Sequence, residues 1–450
     1  MATRSMFELD GDLADRVLGY CRERLALEPV PLDHSGVKAE LDAALAGLLG
    51  QAGNDPALVF DLFAEKLAPA VISCDSPRFL SFIPAAPTKA ALLFDMVVSC
   101  SSLQGTSWLE AAGAVAAENQ VLELLARLAG LPDGAGGVFV SGGSAGNLSA
   151  LVVARDLARR RGVPGERPKV AVSDQAHSSV AKALHVVGMD ALVVETDEQH
   201  LTGAGLRAAV AGHEDELAAV VATAGTTNAG IVDDLEGVGA LARELGLWFH
   251  VDGAYGGAAL FSDRVRPRYS GLRHADSLVV DPHKWLFAPF DCAALVYREP
   301  WLAKAVHTQD AGYLDVLHTD APEEWNPSDY AYHLTRRARG LPLWFSLAVH
   351  GTDAYRDAID AAVDLATETA GMIAERPYLE LLRDPELSVV LFRRVGWSAD
   401  DYSKWTSRLL ADQVGFVTPT VWLGETVARF CFLHPGTTTE VVVEILDTMA

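Results

Sequence analysis

The 450-residue chain is short of positive charge: 36 Lys and Arg stand against 60 Asp and Glu, a formal net charge of −24. So acidic a surface argues against nucleic acid or an anionic membrane as partner and favours solubility. Lysine is scarcer still, at eight of those 36 basic residues, a skew we read as genome composition. Long apolar runs are lacking too. No stretch approaches the roughly 18 apolar residues of a membrane span. The N-terminus lacks the basic, apolar and small-residue succession of a secretory signal and reads instead as an amphipathic helix, with Phe7, Leu9, Leu13, Val17 and Leu18 as its apolar face. The five cysteines (Cys21, Cys74, Cys100, Cys292 and Cys431) are scattered with no CxxC, which points to neither a zinc site nor a disulfide framework. A reduced, cytoplasmic protein is expected. Internal repeats and low-complexity tracts are absent.

What is present is apolar residue, 50% of the chain, enough for two or three packed units. Short β-branched runs recur at 136–142, 170–174, 192–196, 218–225, 248–253, 277–282 and 293–298, with helical stretches such as 144–161 and 234–246 between them. Continuous apolar runs of this length fit strands buried on both faces, and alternation with helices predicts a mainly parallel α/β sheet of about seven strands. The polar, irregular stretch 307–332 is a candidate lid. Helices over 343–375 lead to a smaller C-terminal α/β unit with strands at 388–394 and 427–433. The expected division is 1–85, helical and dimer-forming; 86–340, the large domain; and 341–450, the small one.

In open parallel sheets ligands bind at the C-terminal ends of the strands, and four chemically suggestive clusters fall there. Ser141-Gly142-Gly143-Ser144-Ala145-Gly146-Asn147 joins a strand to a helix, so backbone N–H groups and the helix N-terminus could cradle an anion. A capped tight turn would look the same, and no Lys-Ser/Thr follows as a Walker loop requires. His177, in DQAHSS, could stack on a flat ring or be a plain loop histidine. Asp252 ends a very apolar strand, where a carboxylate needs a cationic or donor partner; a helix cap and a pyridinium N–H are the alternatives. Lys284 follows another apolar strand and precedes Trp285, Leu286 and Phe287. Burial there is expected to lower its pKa and make it a nucleophile able to form a Schiff base; a surface lysine is the alternative. Together the four supply a phosphate cradle, a stacking group, an acidic ring partner and an amine, the inventory that pyridoxal 5'-phosphate (PLP) needs.

Residues 277–298, SLVVDPHKWLFAPFDCAALVYR, resemble the lysine-site signature of the group II PLP-dependent amino-acid decarboxylases. SGGSAGN, DQAHSS, TAGTTNAG and HVDGAYGG recur in family order, and the resemblance runs from about residue 75 to the C-terminus. It implies a PLP enzyme of fold type I, the aspartate-aminotransferase-like fold, acting as a homodimer with shared active sites. It also implies decarboxylation of an L-amino acid. By the same resemblance Lys284 forms the Schiff base and Asp252 pairs with the pyridine nitrogen. His177 stacks on the ring, Ala254 packs on its other face, and Thr226 approaches the ring substituents. Gly143, Ser144 and His283 lie by the phosphate, and Tyr313 on the mobile loop returns a proton after CO2 leaves.

The chain departs from the aromatic decarboxylases at the substrate pocket, where Cys74, Ile83, Ala85, Gln104, Thr106 and Thr335 replace their usual residues, Gln104 and Thr106 being expected across a dimer interface. Trp108 and Phe290 are candidates for an aromatic wall. Ala145 stands where many relatives are acidic, and Asp281 where many have Asn. Arg429 on the last strand is expected in a structural salt bridge. An aromatic substrate is favoured slightly, with an atypical one as alternative. Oxidative decarboxylation to an aldehyde is the second reading, disfavoured by the presence of both Tyr313 and His177. A transaminase-like reaction and a non-catalytic binding protein follow. A dinucleotide-binding enzyme is ranked last, because no GxGxxG with a downstream acid opens the sheet.

Overall fold

A computed structural model describes residues 6–84, 86–196, 198–312, 314, 316 and 324–450. Seven strands form the main sheet: β1 (Gly136–Val140), β2 (Lys169–Ser173), β3 (Asp190–Val194), β4 (Leu217–Thr223), β5 (Trp248–Asp252), β6 (Ser277–Val280) and β7 (Ala293–Tyr297). Their order is β1-β7-β6-β5-β4-β2-β3. Strand β7 is antiparallel to both neighbours and every other pairing is parallel. Six strands therefore run one way and their C-terminal ends share one edge.

The strands are apolar throughout because both faces are covered. Phe139, Val220, Ala222 and Val251 belong to one core and Val138, Val140, Ala219 and Val221 to the other, the period-2 alternation of a pleated strand. The exception is β3. It lies at the sheet edge and Val193 is exposed, where the sequence suggested full burial.

Before the sheet come α1 (Gly11–Ala26), α2 (Lys38–Leu45) and α3 (Pro56–Leu62), then α4 (Lys89–Cys100) and α5 (Trp108–Leu128). Helix α1 is capped by Asp10, whose carboxylate accepts from Leu13 N at 3.0 Å. Phe7 and Leu9, expected on its apolar face, precede the helix and are exposed. None of α1 to α3 buries a residue. The connection after α1 is pinned instead at Leu32, buried against Phe79 and Phe416.

Between the strands lie α6 (Gly143–Arg160), α7 (Ser178–Val187), α8 (Gly203–Val210) and α9 (Leu235–Glu244). After β7 come α10 (Pro300–His307) and α11 (Leu341–Ala374), which is kinked at Gly351, where φ is 76°. Within the stretch between them, Trp325 stacks on Tyr330 and donates from Nε1 to Gly137 O at 3.0 Å.

A four-stranded antiparallel sheet follows, ordered β10-β11-β9-β8: β8 (Leu379–Leu381), β9 (Val389–Arg394), β10 (Thr420–Trp422) and β11 (Glu425–Cys431). Strands β9 and β11 were expected. The three-residue β8 and β10 are too short to leave a periodic signal. Among the described residues no helix is long and apolar enough to cross a membrane.

Candidate active site

Five of the parallel strands end around one cavity of about 200 Å³. The loop after β1 brings Gly142, Gly143 and Ser144, β2 leads to His177, and β4 brings Thr223, Gly225 and Thr227. Strand β5 brings Asp252, Ala254 and Tyr255, and β6 leads to Asp281, His283 and Lys284. The four sequence clusters thus meet at the predicted edge of the sheet.

Gly143 opens α6, and only glycine fits there: a Cβ would come 3.0 Å from Ala254 Cβ and 3.1 Å from an Asp281 oxygen. Asp252, 4% exposed, accepts from Asn147 Nδ2 at 2.9 Å and from Ala254 N at 3.1 Å. It has donor partners, as burial requires. Its neighbour on the same face of β5 is His250, whose Nε2 lies 2.8 Å from Asn147 Oδ1. Burial lowers the His250 pKa to about 4, against the pull of Asp252, so the ring is neutral.

Lys284 Nζ is 2.9 Å from Asp281 Oδ2, in a side chain that is 24% exposed. Here the structure corrects the expectation. Burial does disfavour the ammonium ion, but the adjoining Asp281 carboxylate outweighs it and the Lys284 pKa is raised. His283, lowered by burial despite Asp281, is neutral. Its Nδ1 accepts from Cys292 N at 3.0 Å, so its proton is on Nε2. Tyr255 is locked by a 2.5 Å hydrogen bond to Ser388 and by stacking on Trp285.

Other expected residues lie elsewhere. Thr226 is buried and its hydroxyl accepts from Ile231 N, while its neighbour Thr227 lines the cavity. Cys74 packs against the Leu32–Phe79–Phe416 cluster, and Ile83 against the main core. Gln104 donates to Glu110, Thr106 is buried, and Thr335 is exposed. Phe290 is exposed, its ring 5.2 Å from that of His283. None of these six pocket candidates lines the cavity. Ala85 and Tyr313 fall outside the described residues. Arg429 makes no salt bridge in the structure; it donates to the carbonyls of Asn228, Phe82 and Thr227 and so braces the loop after β4. Sequence reasoning gave no role to Asn147, Ser179 or Thr223. Asn147 lies four residues after Gly143, one turn along α6 on the same face, which was the available signal.

The cavity fits PLP. Two buried oxygens on its wall, Thr223 Oγ1 and Asp281 Oδ1, have no hydrogen-bond partner among the described residues. A side chain at 143 would fill the space before the α6 N-terminus, where an anion is favoured. Residues 50–395 match the model of the pyridoxal-dependent decarboxylase conserved domain. The chain belongs to that family. Among the curated members, an aromatic-L-amino-acid decarboxylase of Bacillus atrophaeus is 31% identical over 414 residues, spanning 88% of this chain and 85% of that one. An L-2,4-diaminobutyrate decarboxylase of Rhizobium meliloti (strain 1021) is 34% identical over 398 residues, spanning 83% and 77%. The Oryza sativa TDC structure with PLP and tryptamine superposes with a TM-score of 0.90 at 25% identity, covering 98% of both chains. This decarboxylase is therefore a PLP-dependent carboxy-lyase acting on an amino acid, with the type I fold.

Proposed function

We propose that the chain decarboxylates an L-amino acid, an aromatic one slightly favoured, releasing the amine and CO2. The observation that carries this is the convergence of the Lys284 amine, the Asp252 carboxylate and the α6 N-terminus on one cavity.

In this reading Gly143, Ser144 and His283 would hold the phosphate, Asp252 the ring nitrogen, and His177 and Ala254 the ring faces, and PLP held by them would supply an electron sink for the pair left at the α-carbon. Lys284 must lose a proton from Nζ before it can act as nucleophile, and the Asp281 carboxylate paired with it opposes that loss. His177 orients the substrate carboxylate, and Tyr313 or His177 returns the proton to the α-carbon. A lid over the site would exclude water and oxygen; residues 313, 315 and 317–323 of the candidate segment 307–332 lie outside the described residues.

The protein acts in this reading as a cytoplasmic homodimer that shares its active sites. Helices α1 to α3, with no buried residue, supply apolar surface for the partner, and no disulfide links the five cysteines.

The test is mass analysis of products from a panel of L-amino acids, with oxygen uptake followed in parallel. A product lighter by CO2, without oxygen uptake, is expected; an aldehyde with oxygen uptake moves the reading to oxidative decarboxylation. Lys284→Ala is expected to abolish borohydride trapping of the cofactor and lower turnover by about a thousandfold or more. Full trapping in that variant removes Lys284 as the nucleophile.

A further inference from the structure

Beneath the cavity runs a chain of buried side chains whose two ends fix its polarity. At one end is the Trp248 indole, which can only donate; its Nε1 is 2.9 Å from Ser277 Oγ. At the other is Asp252, whose carboxylate can only accept. Between them, Ser277 Oγ lies 2.8 Å from His250 Nδ1, and His250 Nε2 lies 2.8 Å from Asn147 Oδ1. Asn147 Nδ2 then donates twice, to Asp252 Oδ2 at 2.9 Å and to Ser179 Oγ at 3.1 Å. Ser179 Oγ in turn is 2.8 Å from His177 Nδ1.

Only one assignment of protons satisfies every link. Turning the Asn147 amide over would set its oxygen against the Asp252 carboxylate, so Nδ2 faces Asp252 and Oδ1 must accept from His250. The neutral His250 ring therefore carries its proton on Nε2, and its bare Nδ1 accepts from the Ser277 hydroxyl. Ser179 Oγ accepts from Asn147 and gives its own proton to His177 Nδ1. The Ser179 backbone N–H, 3.2 Å from the same nitrogen, requires that Nδ1 be bare as well. His177 thus keeps its proton on Nε2.

We propose that Asn147 is the branch point of this relay, a positioning residue that at once donates to Asp252 and holds His177 as the Nε2–H tautomer. His250 is a second positioning residue, acting through Asn147. The two groups assigned to opposite parts of the reaction, Asp252 on the ring nitrogen and His177 on the substrate carboxylate, are set by the two hydrogens of one amide. The inference rests on the PLP reading of the site for its catalytic consequence, though not for the tautomer itself.

The test compares wild type with Asn147→Asp, which keeps the size and the acceptor for His250 but carries at most one hydrogen, so that it cannot serve Asp252 and Ser179 together. In the purified, cofactor-loaded full chain labelled with 15N-histidine, His177 is expected to show a protonated Nε2 and a bare Nδ1. In Asn147→Asp the two tautomers mix, kcat falls roughly tenfold or more while KM moves less, and the pH profile of kcat/KM shifts. If Asn147→Asp does not fold, Asn147→Ser, which has one hydrogen to donate, is expected to lose one branch and give the same direction of change. A wild-type His177 protonated on Nδ1 overturns the inference, as does a variant with unchanged kcat and pH profile. Failure of the PLP reading would show separately, as no borohydride trapping of cofactor in the wild-type chain with the His177 tautomer still as assigned.

Discussion

At the scale of the residue, the decisive contact is the ion pair between Lys284 and Asp281. A raised Lys284 pKa means that cofactor loading, which needs the free amine, slows as pH falls, by about tenfold per pH unit below that pKa. Asp281→Asn removes the carboxylate that raises it, so the variant is expected to load faster than wild type at neutral pH. Stopped-flow absorbance of PLP added to the cofactor-free chain checks this. A second residue-scale prediction concerns Glu118 and Arg336, whose side chains are 3% and 0% exposed and 2.7 Å apart. Glu118 also accepts from Gly340 N at 2.8 Å. Glu118→Ala strands a buried guanidinium and is expected to cost about 3–5 kcal/mol by denaturant unfolding. The placement of Lys284, Asp252, His177 and Gly143 was legible because each follows a strand of one parallel sheet. The charge of Lys284 was not, because burial alone points down and only the folded position of Asp281 reverses it. Nor was the packing of Cys74 against the Leu32–Phe79–Phe416 cluster, since no local pattern encodes which loops of a large fold meet.

At the scale of the element, the two sheets are joined by a charged latch. Glu386, between β8 and β9, is paired with His200 at 3.1 Å, with Arg383 at 2.7 Å and with Arg268 at 3.5 Å, and accepts from Val232 N. The hydrogen bond to Glu386 raises the His200 pKa above 6.5; burial pushes Glu386 up, but the His200 bond and charge, with the Val232 N–H and Arg383, together outweigh it and lower Glu386 below 4.5. The raised His200 contributes stability that is whole below pH 6.5 and lost as pH rises through its folded pKa. The lowered Glu386 contributes stability that is whole above pH 4.5 and lost as pH falls through its own. The latch is therefore intact between those two values. Nearby Asp233 is raised to about 7 by burial, and ionising it adds to the loss on the alkaline side. Melting temperature is expected to fall from pH 6 to pH 8.5, and His200→Gln to lower it by about 2 °C at pH 6 while flattening the slope. An unchanged slope in that variant removes His200 from the latch. Seven strands and the long helices of this frame were legible from runs and periodicity. The edge position of β3 and the existence of β8 and β10 were not, because pairing partners decide them.

At the scale of the whole molecule, the apolar residues of the N-terminal helices point to a second copy. Phe7→Asp with Leu9→Asp is expected to shift the mass in solution from twice 48.0 kDa toward 48.0 kDa. Light scattering after size exclusion reads this directly, and a wild-type chain of single mass would remove the dimer. The pinning of Leu32 by Phe416 has another consequence, for the order in which the chain is made. The first helices leave the ribosome long before residue 416 exists, and translation runs at roughly 5–20 residues per second. The front of the protein must therefore wait, with its apolar residues in water, until nearly the last of it has been synthesised. A nascent chain arrested before Phe416 has no anchor for Leu32, which makes the time between the two residues the interval in which a chaperone matters most.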